Sequence, residues 1–288
     1  ACAAGLAGTT CRSRQGVSES TRRLDVELVR RGLARSRGQA RELVEAGSVL
    51  LDGSSATKIS TPVSTDRNLE LRPGVQGWVS RAAYKLDAAM ETFGHHGLSA
   101  DDKRCFDVGA CTGGFTQVLL RAGARQVVAL DVGHGQLADE IARDPRVVER
   151  SGVNVRDARA DDLGGPAQLL VADLSFISLR LVLPVLRDLV EGTGDVVILV
   201  KPQFEVGRER LGKAGIVRAA GNRAMAIEGV VGAARKAGLN AKELLASPIR
   251  GATGNAEYLL WLTPRPDQGL TAGQVTELAA TLSSEAPR

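Results

Sequence analysis

From Ser80 onward, short apolar runs alternate with stretches in which apolar residues recur every three or four positions. The runs Cys105–Val108, Val127–Val132, Leu169–Asp173 and Val196–Lys201 read as strands. Helices fit between them at Phe115–Ala122, Ser178–Val190 and Asn222–Ala237. This alternation predicts an α/β fold, a doubly wound Rossmann-like sheet of mostly parallel strands. A last apolar run, Tyr258 to Leu262, closes the sheet.

The first quarter of the chain has a different pattern. Leu24, Leu28 and Val29 keep helical spacing, with Gly32 as a stop signal. Ser36 is a candidate N-cap for a second helix carrying Ala40, Leu43 and Val44, which Gly47 ends. Val49-Leu50-Leu51 then reads as a strand into an Asp52-Gly53 turn, with weaker strands near Thr57–Ile59 and Leu69–Leu71. The expected organisation is a disordered tail over 1–21 and a small α+β domain over 22–73. A linker over 74–79 with Trp78 as its anchor follows, then the large domain over 80–265 and a helix or tail over 266–288. A misplaced start or a transit peptide remains open for the first twenty residues, which are rich in Ala, Gly, Ser and Thr.

Charge changes the picture at one place. The net charge is only +4, yet Arg22, Arg23, Arg30, Arg31, Arg35, Arg37 and Arg41 stand against Asp25 and Glu27 alone. That stretch therefore carries +5, and the remainder is close to neutral. Clustered arginines on two short helices favour binding to a phosphate backbone, against the plainer reading of a solvated face. The stretch has no aromatic residue, so structured RNA read by shape is favoured over single strands. No run reaches the length of a membrane span. The four cysteines lack metal or redox spacing, so no metal is expected, and Cys105 reads as a small core residue.

Four ionisable residues stand out. Lys201 ends an apolar run, where lysine is rare unless it is paired or has chemistry to do. Asp173 ends a similar run, and Glu257 opens the last one. If that last strand is antiparallel, all three converge on the carboxyl edge of the sheet, where open α/β sheets place their ligands. Lys85, on a helix before the first strand, joins them only if its helix crosses that edge; a solvated lysine is the alternative. A lysine amine acts as general base when neighbours and burial favour its neutral form. A second ammonium favours that form, and carboxylates oppose it.

The first strand and turn read Phe106-Asp107-Val108-Gly109-Ala110-Cys111-Thr112-Gly113-Gly114-Phe115. Glycines let a backbone turn sharply and approach a ligand. The spacing is not that of a pyrophosphate-binding loop, and Asp107 precedes the first glycine. An acid there suits the amino-acid end of S-adenosylmethionine, while Asp131, ending the next strand, suits two ribose hydroxyls.

The stretch Arg22 to Arg37, with Ala40, Gly47-Ser48-Val49 and Asp52-Gly53, resembles the RNA-binding domain of ribosomal small-subunit protein four. The remainder resembles the FtsJ-type methyltransferase domain. Together they are similar to the TlyA family of ribosomal-RNA 2′-O-methyltransferases, whose members also carry the name haemolysin. The blocks Asp131-Val132-Gly133, Ala172 to Leu179, Val200 to Gly207 and Gly254 to Tyr258 carry the likeness. Gln76, Ala82, Cys111 and His134 depart from the family's usual residues. The resemblance implies a class I methyltransferase sheet and a Lys–Asp–Lys–Glu tetrad at Lys85, Asp173, Lys201 and Glu257. The expected cofactor is S-adenosylmethionine, held by Asp107, Gly109, Ala110, Thr112, Gly113, Gly114, Phe115, Asp131, Asn154 and Asp173. The expected partner is ribosomal RNA or an assembled ribosomal subunit, met by a cytoplasmic monomer. An RNA-binding assembly factor without catalysis and a membrane-lytic protein are the competing classes.

Overall fold

The computed structural model describes residues 21–34, 36–45, 47–72 and 77–285. The expected tail up to residue 20, Arg35, the last residue of the expected small domain and the expected linker up to residue 76 lie outside them. The chain divides into two compact units, one ending at Gln76 and the other beginning at Gly77.

The smaller unit is built on β1 (Arg22–Arg23), α1 (Leu24–Arg30), α2 (Arg37–Glu45), β2 (Val49–Leu51), β3 (Ser54–Ser55), β4 (Pro62–Val63) and β5 (Leu69–Leu71). Leu24, Leu28, Ala40, Leu43 and Val44 come together over Val49 and Val63, as their helical spacing requires. Gly32 and Gly47 take positive φ after the two helices. Thr57–Ile59 is not a strand: Lys58 and Thr61 close a turn there. The strand lies later, at β4, which pairs antiparallel with β1.

The larger unit holds a seven-stranded sheet. Its strands are β6 (Arg104–Val108), β7 (Gln126–Asp131), β8 (Val147–Ser151), β9 (Ala167–Ala172), β10 (Val190–Val200), β11 (Asn240–Ala246) and β12 (Tyr258–Thr263). They lie in the order β11-β12-β10-β9-β6-β7-β8. The five from β10 to β8 are parallel, and β12 runs against both neighbours. Two edge strands escape the hydrophobic pattern. The β8 residues are at most half-buried, and β11 carries Lys242 and Glu243 between its apolar positions.

Helices cover both faces. On one side lie α3 (Ala83–Gly94), α4 (Gly114–Arg121) and α5 (Asp139–Ala142). On the other lie α6 (Leu179–Asp188), α7 (Ala220–Lys236) and α8 (Ala272–Glu285). Leu86, Ala89 and Phe93 of α3 pack on Leu199, Leu259 and Trp261, so the start of that helix reaches the carboxyl ends of the strands. Trp78 is buried in the same layer, with the Arg121 guanidinium 4.2 Å from its ring centroid. Gln117 fixes that segment by bonding Val79 N and Gly77 O. The strand order reverses between β6 and β9, which opens a crevice beyond their carboxyl ends.

Candidate active site

Two registers bring the charged residues together. In the antiparallel β10–β12 pair, Val200 faces Tyr258, so the next step outward sets Lys201 beside Glu257. In the parallel β9–β10 pair, Ile198 faces Ala172, which places Asp173 at the same edge. The Lys201 Nζ lies 2.6 Å from Asp173 Oδ1 and donates to the Ser175 hydroxyl at 2.7 Å. Lys85, in the first turn of α3, donates to Glu257 Oε2 at 2.6 Å and lies 3.9 Å from Asp173 Oδ2. The solvated alternative for Lys85 therefore fails: it is 6% exposed, and Glu257 is 4% exposed. Two ammonium groups and two carboxylates thus form one chain of contacts, with Asp173 between the lysines.

The glycine turn explains how Asp173 can sit there. Gly109 has φ +86°, and a Cβ on it would fall 2.7 Å from the Asp173 carbonyl oxygen. Any other residue would push the β6 turn away from the end of β9. Gly113, with φ +88°, packs against Ile141 and starts α4.

Two adjoining clefts follow the crevice. One, of about 500 Å³, is lined by Leu130, Asp131, Val132, Asn154, Asp173 and Phe176 among others. The second, of about 240 Å³, runs along Gly109 to Thr112, Gly114 and Phe115 to Ser80, Arg81, Ala82 and Lys201. Gly109, Cys111, Asp173 and Ser175 belong to both walls. Each Asp131 oxygen already accepts one backbone N–H, from Cys111 at 2.9 Å and from Gly133 at 2.8 Å. Its remaining lone pairs face the cleft rim and suit a pair of hydroxyls. Asn154 spends its side-chain oxygen on Arg156 N. Apolar walls at Leu130 and Val132 beside this carboxylate fit an adenosine, and the glycine turn fits the amino-acid end of S-adenosylmethionine.

Asp107 behaves differently from the expectation of a direct contact. It is fully buried beneath the turn, where it accepts the Thr116 hydroxyl at 2.6 Å, and lines neither cleft. Burial pushes its carboxyl up to about 7, against the pull of the Thr116 hydrogen bond. Gly113 likewise supports the turn from behind.

Four residues of the site carry no signal in the hydrophobic pattern. Ser175 touches Lys201. Phe176 is 91% exposed at φ +63°, with its ring 5.4 Å from that of Phe204. Glu205 accepts from the Ser178 hydroxyl at 2.7 Å and from Leu179 N at 2.8 Å. Arg81 donates to the Arg250 carbonyl at 2.6 Å, which ties the approach to α3 to the loop before Glu257. The blocks that carry the family likeness contain three of them, but only tertiary contact separates these from their neighbours.

In the smaller unit the arginines are organised by two buried acids. Asp25 pairs with Arg23 and Arg37 at 3.0 and 2.9 Å. Glu27 pairs with Arg30 and Arg31 at 2.6 and 2.8 Å, and Arg22 reaches it at 4.0 Å. The hydrogen bond from Arg23 holds the Asp25 carboxyl down at about 2, and that from Arg30 does the same for Glu27. Arg31 also donates to the carbonyls of Ser64, Thr65 and Arg67, so it clasps a loop. Arg41 is exposed. Among the described residues no cluster of His, Cys, Asp or Glu suits a metal ion, and no helix is long and apolar enough to cross a membrane.

Comparison with known proteins identifies the family of both units. Residues 78–263 match the FtsJ-like methyltransferase family and residues 22–68 match the S4 domain. A 16S/23S rRNA (cytidine-2′-O)-methyltransferase TlyA of Mycobacterium tuberculosis is 46% identical, over 92% of this chain and 98% of its own. Hemolysin A of Brachyspira hyodysenteriae is 35% identical, over 82% of this chain and 98% of its own. A solved structure from Streptococcus thermophilus, provisionally titled a hemolysin, superposes with a TM-score of 0.71 at 37% identity. It covers 93% of this chain and 98% of its own.

Proposed function

This chain belongs to the TlyA family of FtsJ-like methyltransferases with an S4 domain, and on that footing we propose that it methylates a ribose 2′-hydroxyl of ribosomal RNA. The observation that carries the reading is the contact chain from Lys201 through Asp173 and Lys85 to Glu257, at the edge of a cleft fitted to an adenosyl cofactor. S-adenosylmethionine, bound there, would supply a methyl group carried on a sulfonium sulfur, which is a good leaving group. The protein's residues do the rest. Lys201, as neutral amine, takes the proton of the 2′-hydroxyl, so that the oxygen is not left as a cation after it gains the methyl group. Asp173 stands between the two lysines and orients Lys201. Lys85 and Glu257 neutralise each other in a buried place and hold Asp173 from the far side. Gly109, Ala110, Thr112, Gly114, Phe115, Asp131, Asn154 and Asp173 line the place of the cofactor, with Asp107 and Gly113 supporting the turn from beneath.

The S4 unit brings the RNA. Its arginines neutralise phosphates, and its buried acids hold those arginines in fixed directions. The nucleotide methylated has to leave its helix to reach so recessed a site. Phe176, an exposed ring at the rim, is placed to stack on the displaced base. Isolated small and large ribosomal subunits incubated with methyl-labelled cofactor, followed by mapping of the modified nucleotide, test the reading. Label enters a ribose with the native chain and is all but lost with Lys201→Ala. Full activity in that variant removes Lys201 as the base, and no label from the native chain on either subunit removes the reading.

A further inference from the structure

We propose that Ser175 is a fifth polar member of the site: a positioning residue that fixes the direction in which Lys201 offers its amine to the substrate hydroxyl. The inference rests on Lys201 being the base. A lysine head group carries three hydrogens in a tetrahedral array and rotates freely about its last carbon–nitrogen bond. A hydrogen bond ties one of those hydrogens to a fixed direction. Here the Asp173 carboxylate makes a close ion-pair contact at 2.6 Å without hydrogen-bond geometry, whereas the Ser175 hydroxyl accepts a hydrogen bond at 2.7 Å. The carboxylate therefore holds the charge in place, and the hydroxyl fixes the rotation of the head group. When the ammonium loses a proton, the neutral amine keeps an N–H on Ser175. Its lone pair then takes one of the other vertices, away from Ser175. That lone pair accepts the proton of the incoming 2′-hydroxyl, the ammonium is restored, and the spare proton passes to water in the next cycle.

Ser175 is itself held. It lies in the turn Asp173 to Ser178, which the segment Lys201 to Glu205 clasps at both ends. Lys201 grips Asp173 and Ser175, and four residues later Glu205 grips Ser178 and the amide of Leu179. Between the two grips Phe176 takes φ +63°, a conformation that a bulky residue keeps only under constraint. Ser175 also belongs to the walls of both clefts, so it stands where the cofactor side meets the tetrad. A turn held so firmly presents the hydroxyl at one place, which a loose surface serine would not do.

The test is steady-state methylation of isolated ribosomal subunits by Ser175→Ala, Ser175→Thr and Lys201→Ala. Cofactor affinity is measured by calorimetry, and thermal unfolding shows that each variant is folded. For Ser175→Ala we expect kcat to fall roughly tenfold, with KM for the subunits and Kd for the cofactor within about twofold of the native chain. Ser175→Thr, which keeps the hydroxyl, returns kcat to within about threefold. Should the alanine variant unfold, Ser175→Cys, similar in size but a weak acceptor, shows the same fall. Native kcat in Ser175→Ala, or a loss carried by KM or Kd alone, overturns the proposal while leaving Lys201 as the base. Activity in Lys201→Ala removes the base and this inference with it.

Discussion

The ammonium of Lys85 lies 2.6 Å from the carboxylate of Glu257, 172 residues further along the chain, and both side chains are buried. One comes from the first turn of a helix and the other from the residue before an antiparallel strand. Their pairing closes the site from behind. It also makes the site a structural risk, because neither charge has water to fall back on.

That pairing predicts an asymmetric stability response. Lys85→Met leaves the Glu257 carboxylate buried without its contact cation and destabilises the larger unit by about 3–5 kcal/mol. Adding Glu257→Leu removes the stranded charge and recovers a large part of that loss. Urea unfolding of both variants measures it. A Lys85→Met protein as stable as the native chain would show that the pair is not desolvated. Both variants lose methylation.

Asp107 predicts a pH dependence. Its carboxyl is pushed up to about 7 by burial, which the neighbouring Asp173 and Asp131 carboxylates reinforce and the Thr116 hydrogen bond opposes. A group raised above its unfolded value near 4 binds its proton more tightly in the folded state. Its effect is therefore to lower stability as pH rises from about 4 to about 7, with the penalty complete above that. Asp107→Asn removes this slope. The variant gains on the native chain between pH 5 and pH 8 by up to a few kcal/mol, since each pKa unit is worth about 1.4 kcal/mol. A stability difference that stays flat across that range, by urea unfolding, counts against an ionisable buried Asp107.

Arginines of the S4 unit separate into two kinds. Arg31 is bound to Glu27 and to three loop carbonyls, so Arg31→Ala loosens the unit and lowers its unfolding temperature. Arg41 is exposed, and Arg41→Ala leaves folding unchanged while it weakens RNA binding and reduces the salt dependence by about one phosphate contact. Filter binding to ribosomal RNA between low and physiological salt distinguishes them. Equal thermal losses in both variants would contradict the division.

Phe176 is predicted to act on RNA and not on cofactor. Phe176→Ala removes a ring worth about 1–3 kcal/mol if a base stacks on it. The expected result is a rise of roughly tenfold in KM for ribosomal subunits, with cofactor affinity unchanged and Phe176→Tyr close to native. A weakened cofactor instead assigns the ring to the larger cleft, whose wall it also forms.

Much of the fold was legible because burial on both faces writes itself as continuous apolar runs. Cys105 to Val108, Leu169 to Ala172 and Val196 to Val200 are central strands for that reason. The edge strands β8 and β11 bury only part of their surface and left no such run. Thr57 to Ile59 looked extended but closes a turn, because Lys58 and Thr61 bond to each other and not to a neighbouring strand.

By itself the sequence determined the alternating architecture, the arginine cluster and three charges at strand ends, since each follows from local spacing and residue chemistry. Only the tertiary structure decided which charges touch. The antiparallel register of β12 set Glu257 beside Lys201, and the packing of α3 on the sheet buried Lys85 against Glu257. It also moved Asp107 from the cleft wall to the floor beneath the turn, and it paired several of the candidate RNA-binding arginines with Asp25 and Glu27. The physical reason is clearest for Lys85 and Glu257. Spacing fixes which face a residue takes within its own element, whereas their burial and pairing depend on packing between elements 172 residues apart.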